Sequence, residues 1–195
     1  QNALENGGTL RRNAGSLVDR TDTDSGRTVY ITGGVSLQSY AGTDYHDLEI
    51  DAGAAVSLPA DIVVSGDLAV TTGQLDANGF DLSVGGNWTN PQDLAGFAAS
   101  TGTVAFVDAS RTSTVTGDTT FNDLSITAPG KTVRLEDGSN QTVGGSFTAR
   151  GAAGDYVRLE GTLNAARWTV TNSGDAEDVE YVRVQWAEAA GADIT

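Results

Sequence analysis

The 195-residue sequence contains no cysteine, no methionine, one histidine and three prolines. Without thiols there can be no disulfide framework, and cysteine usage says nothing about the compartment. A single histidine, His46, gives no basis for a histidine-centred triad or a histidine-rich metal site. Beside Asp47 it reads as a surface residue of a strand. Positive charge is also scarce: 11 Lys and Arg face 26 Asp and Glu, a net charge of −15. Lys131, Arg111, Arg158, Arg167 and Arg183 are too thin a set to grip a polyanion, which excludes nucleic acid and anionic membrane as partners. No apolar run approaches membrane-spanning length, so no membrane insertion is expected. The sequence begins without Met, and the expectation is the mature product of a secreted precursor.

What the chain does have is glycine, 25 residues of it, together with many short runs that alternate apolar and polar residues. Leu68 and Val70, then Leu82 and Val84, follow the two-residue period of a half-buried strand. Between them Asp76-Ala77-Asn78-Gly79 has the composition of a tight turn, since Asn and Gly tolerate positive φ. The same rhythm runs through Thr28–Ile31, Val35–Leu37, Tyr45–Ile50, Ile62–Val64, Thr103–Phe106, Phe121–Ile126 and Trp168–Thr171. At the C-terminal side, Tyr181–Trp186 reads as one strand with Val182, Val184 and Trp186 on one face and Tyr181 on the other. Pro91 marks a loop, and Leu94–Ala99 has room for one helical turn or a bulge. Helical periodicity is nearly absent.

The chain also repeats. Thr103-Val104-Ala105-Phe106 answers Thr28-Val29-Tyr30-Ile31, and Phe121–Ile126 answers Tyr45–Ile50 at nearly the same offset. Val133 and Leu135 then answer Val56 and Leu58, and Val143–Phe147 answers Val64–Leu68. The expectation is a polar arm over 1–25, a repeat over 26–100, a second over 101–160 and closing rungs over 161–195. Such repeats cannot bury their apolar faces alone and stack on one another. The fold expected is all-β, a parallel β-solenoid built from two internal repeats of about 76 residues; a β-sandwich is the alternative.

Gly73–Asn90, Gly102–Phe106 and Phe121–Leu124 resemble the Gly- and Thr-rich repeats of large secreted bacterial surface proteins of the adhesin type. Trp168–Trp186 is similar to a unit that closes such a series. The resemblance spans roughly residues 28–190. It implies an extracellular or cell-surface location and a structural or adhesive role, and it carries no catalytic residues.

Few residues suggest chemistry. Asp76, Asn78 and Asp81 partly match a Ca2+-binding loop but lack its closing bidentate Glu, and an Asx-type turn explains them more simply. No other cofactor is expected. Asn87 and Asn140 begin glycosylation acceptor triplets. Trp88, Trp168 and Trp186 suit either a sugar-stacking platform or covers for core layers. The acids are spread along the chain, as on a solvated surface, and no enzyme is expected.

A solenoid presents strand edges that invite another chain. The leading expectation is therefore a subunit whose partner is itself, assembling head to tail into a filament, sheath or layer. The joint would be made by the arm Gln1–Ser25, or by Thr28, Val29, Tyr30 and Ile31, adding to Tyr181, Val182, Val184 and Trp186 of a neighbour. The alternative is an adhesin module that binds a glycan or host surface.

Overall fold

The computed structural model describes residues 9–12, 26–39, 44–174 and 176–191. It is an all-β solenoid of about seven turns, each of about 22 residues. One turn lays down three short strands on three faces. Face one holds β1 (Thr9–Arg12), β2 (Arg27–Tyr30), the first half of β4 (Asp47–Ser57), the first half of β6 (Leu68–Asp76) and β8 (Trp88–Thr89), then β11 (Thr112–Thr116), β14 (Thr132–Leu135), β17 (Val157–Gly161) and β20 (Val182–Val184). Face two holds β3 (Val35–Ser36), the second halves of β4 and β6, β9 (Phe97–Ala98), β12 (Thr119–Phe121), β15 (Asn140–Val143), β18 (Trp168–Asn172) and β21 (Ala187–Gly191). Face three holds β5 (Ile62–Val64), β7 (Leu82–Val84), β10 (Thr103–Phe106), β13 (Asp123–Ile126), β16 (Ser146–Arg150) and β19 (Ala176–Glu180). Every strand pair among the described residues is parallel, which rules out the antiparallel sandwich there.

Parallel pairing brings equivalent residues of successive turns into columns. Leu48, Leu68, Trp88, Val115 and Leu135 form one such column on face one. Ile62, Leu82, Val104, Leu124 and Phe147 form another on face three. All ten side chains are buried in a single continuous core. At about 2 kcal/mol for each large apolar side chain removed from water, these columns are the main favourable term. The alternation seen in sequence follows directly, because every second residue of a strand points inward.

The long correspondence between the two halves is not the structural period; the single turn is. Leu48, Leu68 and Trp88 recur once per turn at even spacing. The longer offset instead carries Thr28 on face one to Thr103 on face three. The copies look alike because strands on all three faces alternate toward one core. The ladders also run without a break across residues 100 and 160, through Leu82–Val104 and Leu135–Gly161. Of the polar arm, Thr9–Arg12 adds a strand outside β2, and the remainder of 1–25 lies outside the described residues. After Pro91 the chain makes a 3-10 turn, Asp93–Ala95, before β9.

The corners are held by side chains reaching one turn along. Asp47 Oδ1 accepts the Asp67 N–H, Asp67 Oδ1 accepts that of Asn87, and Asn87 Oδ1 accepts that of Thr114, each at 2.8 Å. The residue before each of the first two followers must be small: a Cβ on Gly66 would collide with the Asp47 carboxylate, and one on Gly86 with that of Asp67. This is why a glycine precedes the corner residue in both turns, as Gly66-Asp67 and Gly86-Asn87.

Asp67→Ala is expected to lower stability by about 1–3 kcal/mol, the range for a charge-assisted hydrogen bond, and Gly86→Ala by about 2 kcal/mol through overpacking. Because the added methyl meets the Asp67 carboxylate, the double variant should lose less than the sum of the two. Urea unfolding of the four proteins measures this.

Candidate functional site

The sequence singled out four groups of residues, and the structure treats them differently. Asp76 Oδ1 accepts the N–H of Asn78 at 2.8 Å, with Asn78 and Gly79 at φ 52° and 84°, so this stretch is an Asx-type turn. Asp81 Oδ1 instead accepts the Thr103 N–H of the next turn at 2.8 Å. Among the described residues no three His, Cys, Asp or Glu side chains are placed to share a metal ion. Asn87 is half-buried and engaged at both ends of its amide, by Asp67 and by Thr114. Asn140 opens β15 and accepts the Thr171 hydroxyl at 3.0 Å.

The three tryptophans do not form a platform. Trp88 is fully buried, edge-on to Phe97 at 4.9 Å between ring centroids, and its Nε1–H donates to Thr119 Oγ1 at 3.1 Å. Trp168 is buried one core layer from the C-terminal side and donates to the Gln185 carbonyl at 3.0 Å. Both cover core layers, with a polar atom satisfied. Only Trp186 is exposed, at 53%.

The N-terminal assembly residues fall one strand inside the edge. Thr28, Val29 and Tyr30 are buried in β2, Ile31 follows the strand, and β1 pairs along the outer side. Among the described residues the outer strand on face one is thus β1. The expected strand Tyr181–Trp186 is shorter than the alternation suggested. Only Val182–Val184 pair with β17, while Tyr181 and Trp186 are corners with φ of 53° and 59°. Alternation cannot distinguish a short strand with two left-handed corners from one continuous strand.

Four of the seven exposed large hydrophobic residues among the described residues gather at this C-terminal side. Val179, Tyr181, Val184 and Trp186 are all exposed. Val184 continues the inward column Val133–Leu159, and Val179 continues Ile126–Ala149. Beneath them lies an open apolar cavity of about 220 Å3, lined by Phe147, Leu159, Trp168, Val170, Val184 and Ala187 among others. It exists because the inward residue shrinks here: Trp168 is followed in its column by Ala187. Among the described residues β20 and β21 are paired on one side only. Acids rim the surface: Glu177, Asp178, Glu180 and Glu188, with Arg150 bridging Asp178 and Glu180.

Sequence reading missed Lys131. Grouped there with the surface arginines, it is fully buried, and its Nζ donates to the carbonyls of Gly85, Asp108 and Arg111 and to Ser113 Oγ, at 3.2, 2.8, 3.0 and 2.7 Å. The ammonium ties together the long corner between β10 and β11, whose carbonyls have turned inward. Burial pulls its pKa down to about 8, opposed by the Asp108 carboxylate. The signal available in sequence was slight: a lone lysine, after Gly130, two residues before the inward-pointing Val133 and so on the same side of the alternation.

Comparison with protein-family models, curated proteins and solved structures gives no match to any of the three. No helix among the described residues is long and apolar enough to cross a membrane.

Lys131→Met should leave three inward carbonyls without their donor and cost about 3 kcal/mol. With the folded pKa near 8 and the unfolded value at 10.5, the unfolded chain binds more protons between these limits. The lysine's contribution to stability should therefore rise with pH, by about 3 kcal/mol from pH 8 to 10.5. Unfolding free energies of wild type and K131M across that range check the sign, since the difference between them must change in that window.

Proposed function

We propose that this protein is an extracellular structural subunit, without catalytic activity, that associates end to end through the edges of its solenoid. The observation that carries this reading is the apolar turn β19–β21, which is paired on one side only among the described residues. Its inward columns lead to Val179 and Val184 with nothing described beyond them, over a cavity open to the outside. An exposed surface of this kind marks an interaction site. β1 and β20 stand at opposite ends of one parallel sheet, so a second copy set head to tail would continue it with every strand running the same way. A contact of this kind that does not close on itself propagates as a filament or layer. The location rests on the resemblance to secreted surface repeats.

A second reading has one observation of its own. Arg167, Gln185, Trp186 and Ala187 line a shallow recess of about 330 Å3, where an exposed indole stands near a guanidinium and an amide. Such a recess suits a glycan, as an adhesin module would require. Saturable binding on a glycan array by monomeric protein is the result that would favour it.

The end-to-end reading predicts that Val184→Lys folds normally, because Val184 is exposed, but places a charge where the next turn must stack. Electron microscopy and sedimentation velocity over a concentration series should show regular assemblies for wild type and a threshold at least tenfold higher for V184K. Equal assembly by both proteins would refute the end-to-end joint.

A further inference from the structure

Six described residues other than glycine adopt a left-handed backbone: Asn78, Asp93, Ser100, Asn164, Tyr181 and Trp186. The first four have short polar side chains, the kind that most readily occupies this region or turns a corner. Tyr181 and Trp186 do not, and they flank β20. Trp186 sits at the corner from face one to face two. In earlier turns the left-handed residue at that corner is Gly34, Gly73, Gly117 or Gly138, or one of the short polar residues Asp93 and Asn164. Bulky side chains held in a strained backbone are a pointer to function when the strain serves nothing in the fold. Trp186 serves no core layer, since its side chain stands 53% exposed.

We infer that Trp186 and Tyr181 are the anchors by which this end of the solenoid grips a second copy of the chain. The inference rests on the end-to-end reading above and names the side chains that give the joint its strength. Trp and Tyr dominate the energetics of protein contacts because each buries a large rigid surface at small entropic cost. The two stand at either end of the outer edge strand, with the inward position Val184 between them, so they frame the surface a partner must cover. Tyr181 is braced for this: its ring meets Tyr156 edge-on at 6.2 Å, and the Arg183 guanidinium lies 4.4 Å from the Tyr156 centroid.

Charge selects the opposite end of the molecule as the partner. In sequence, β19, β20 and β21 contain Glu177, Asp178, Glu180 and Glu188 against Arg183 alone, whereas β1 and β2 contain no acid. Two C-terminal ends brought together would set acid against acid. A C-terminal end meeting an N-terminal end avoids that repulsion, and it is also the arrangement that continues the parallel sheet.

Trp186→Gly separates anchoring from folding, because glycine is the residue the corner prefers. Its thermal midpoint should equal or exceed that of wild type, while the association constant from sedimentation velocity falls at least tenfold. Asn164→Gly, a left-handed corner one turn earlier, should leave association unchanged. Tyr181→Gly should weaken association as Trp186→Gly does. If W186G is as stable as wild type and associates equally well, the anchor is wrong and the end-to-end reading stands. If W186G melts lower, Trp186 serves the fold and the anchor is again wrong. A wild-type chain that stays monomeric at every concentration overturns both readings. If oligosaccharides then quench its fluorescence, and do not quench that of W186G, the residue belongs to a glycan site.

Discussion

Parallel backbone hydrogen bonding between successive turns is the constraint on which everything else depends. It places equivalent residues about 4.8 Å apart along the axis and turns a one-dimensional pattern into columns. Once the columns exist, the sequence of each turn is limited by its neighbours. Leu, Ile, Val and Phe must stack inward, as at Ile62, Leu82, Val104, Leu124 and Phe147. At Asp47 and Asp67 a carboxylate can hold the corner only because the following turn offers an N–H there and a glycine before it. Stability in such a molecule is close to a sum over nearest neighbours, so a terminal turn, with one neighbour, is the least supported.

The fold class was legible in the sequence because it rests on the period of two and on turn residues, both local. The Asp76–Gly79 turn was legible for the same reason, since an Asx turn is closed by its own neighbours. The coil length was not. The even spacing of Leu48, Leu68 and Trp88 is interrupted between Trp88 and Val115, where the chain takes a longer path back to the same column. A longer correspondence between unlike faces is therefore the more visible one in the sequence. Lys131 escaped notice because its partners are carbonyls distant along the chain, at Gly85, Asp108 and Arg111, which no composition or motif records.

At the C-terminal side the sequence indicated the right residues for an incomplete reason. Tyr181, Val182, Val184 and Trp186 were grouped as one strand, and they do lie together at an outer edge. What alternation could not reveal was that the two aromatics are corners in a conformation their side chains disfavour. The acidic rim and the small inward residue Ala187 that follows Trp168 are likewise meaningful only once the columns are known. The tryptophans divide on the same principle: Trp88 and Trp168 occupy inward positions, whereas Trp186 occupies a bend.

The spacing between column members has a consequence for how such a chain can change. The return from Trp88 to Val115 is longer than the return from Leu68 to Trp88, yet the column remains in register. The surplus is confined to corners, where one stretch is gathered by the 3-10 turn at Asp93–Ala95 and another by the Lys131 ammonium. Insertions and deletions at corners are thus absorbed locally, while a single residue added within a strand would turn every following side chain in it inside out. The scaffold is tolerant of length in one place and intolerant in the next. Foreign peptides grafted into the exposed stretch Gln92–Ala95 would be displayed outward while the columns on either side keep their register.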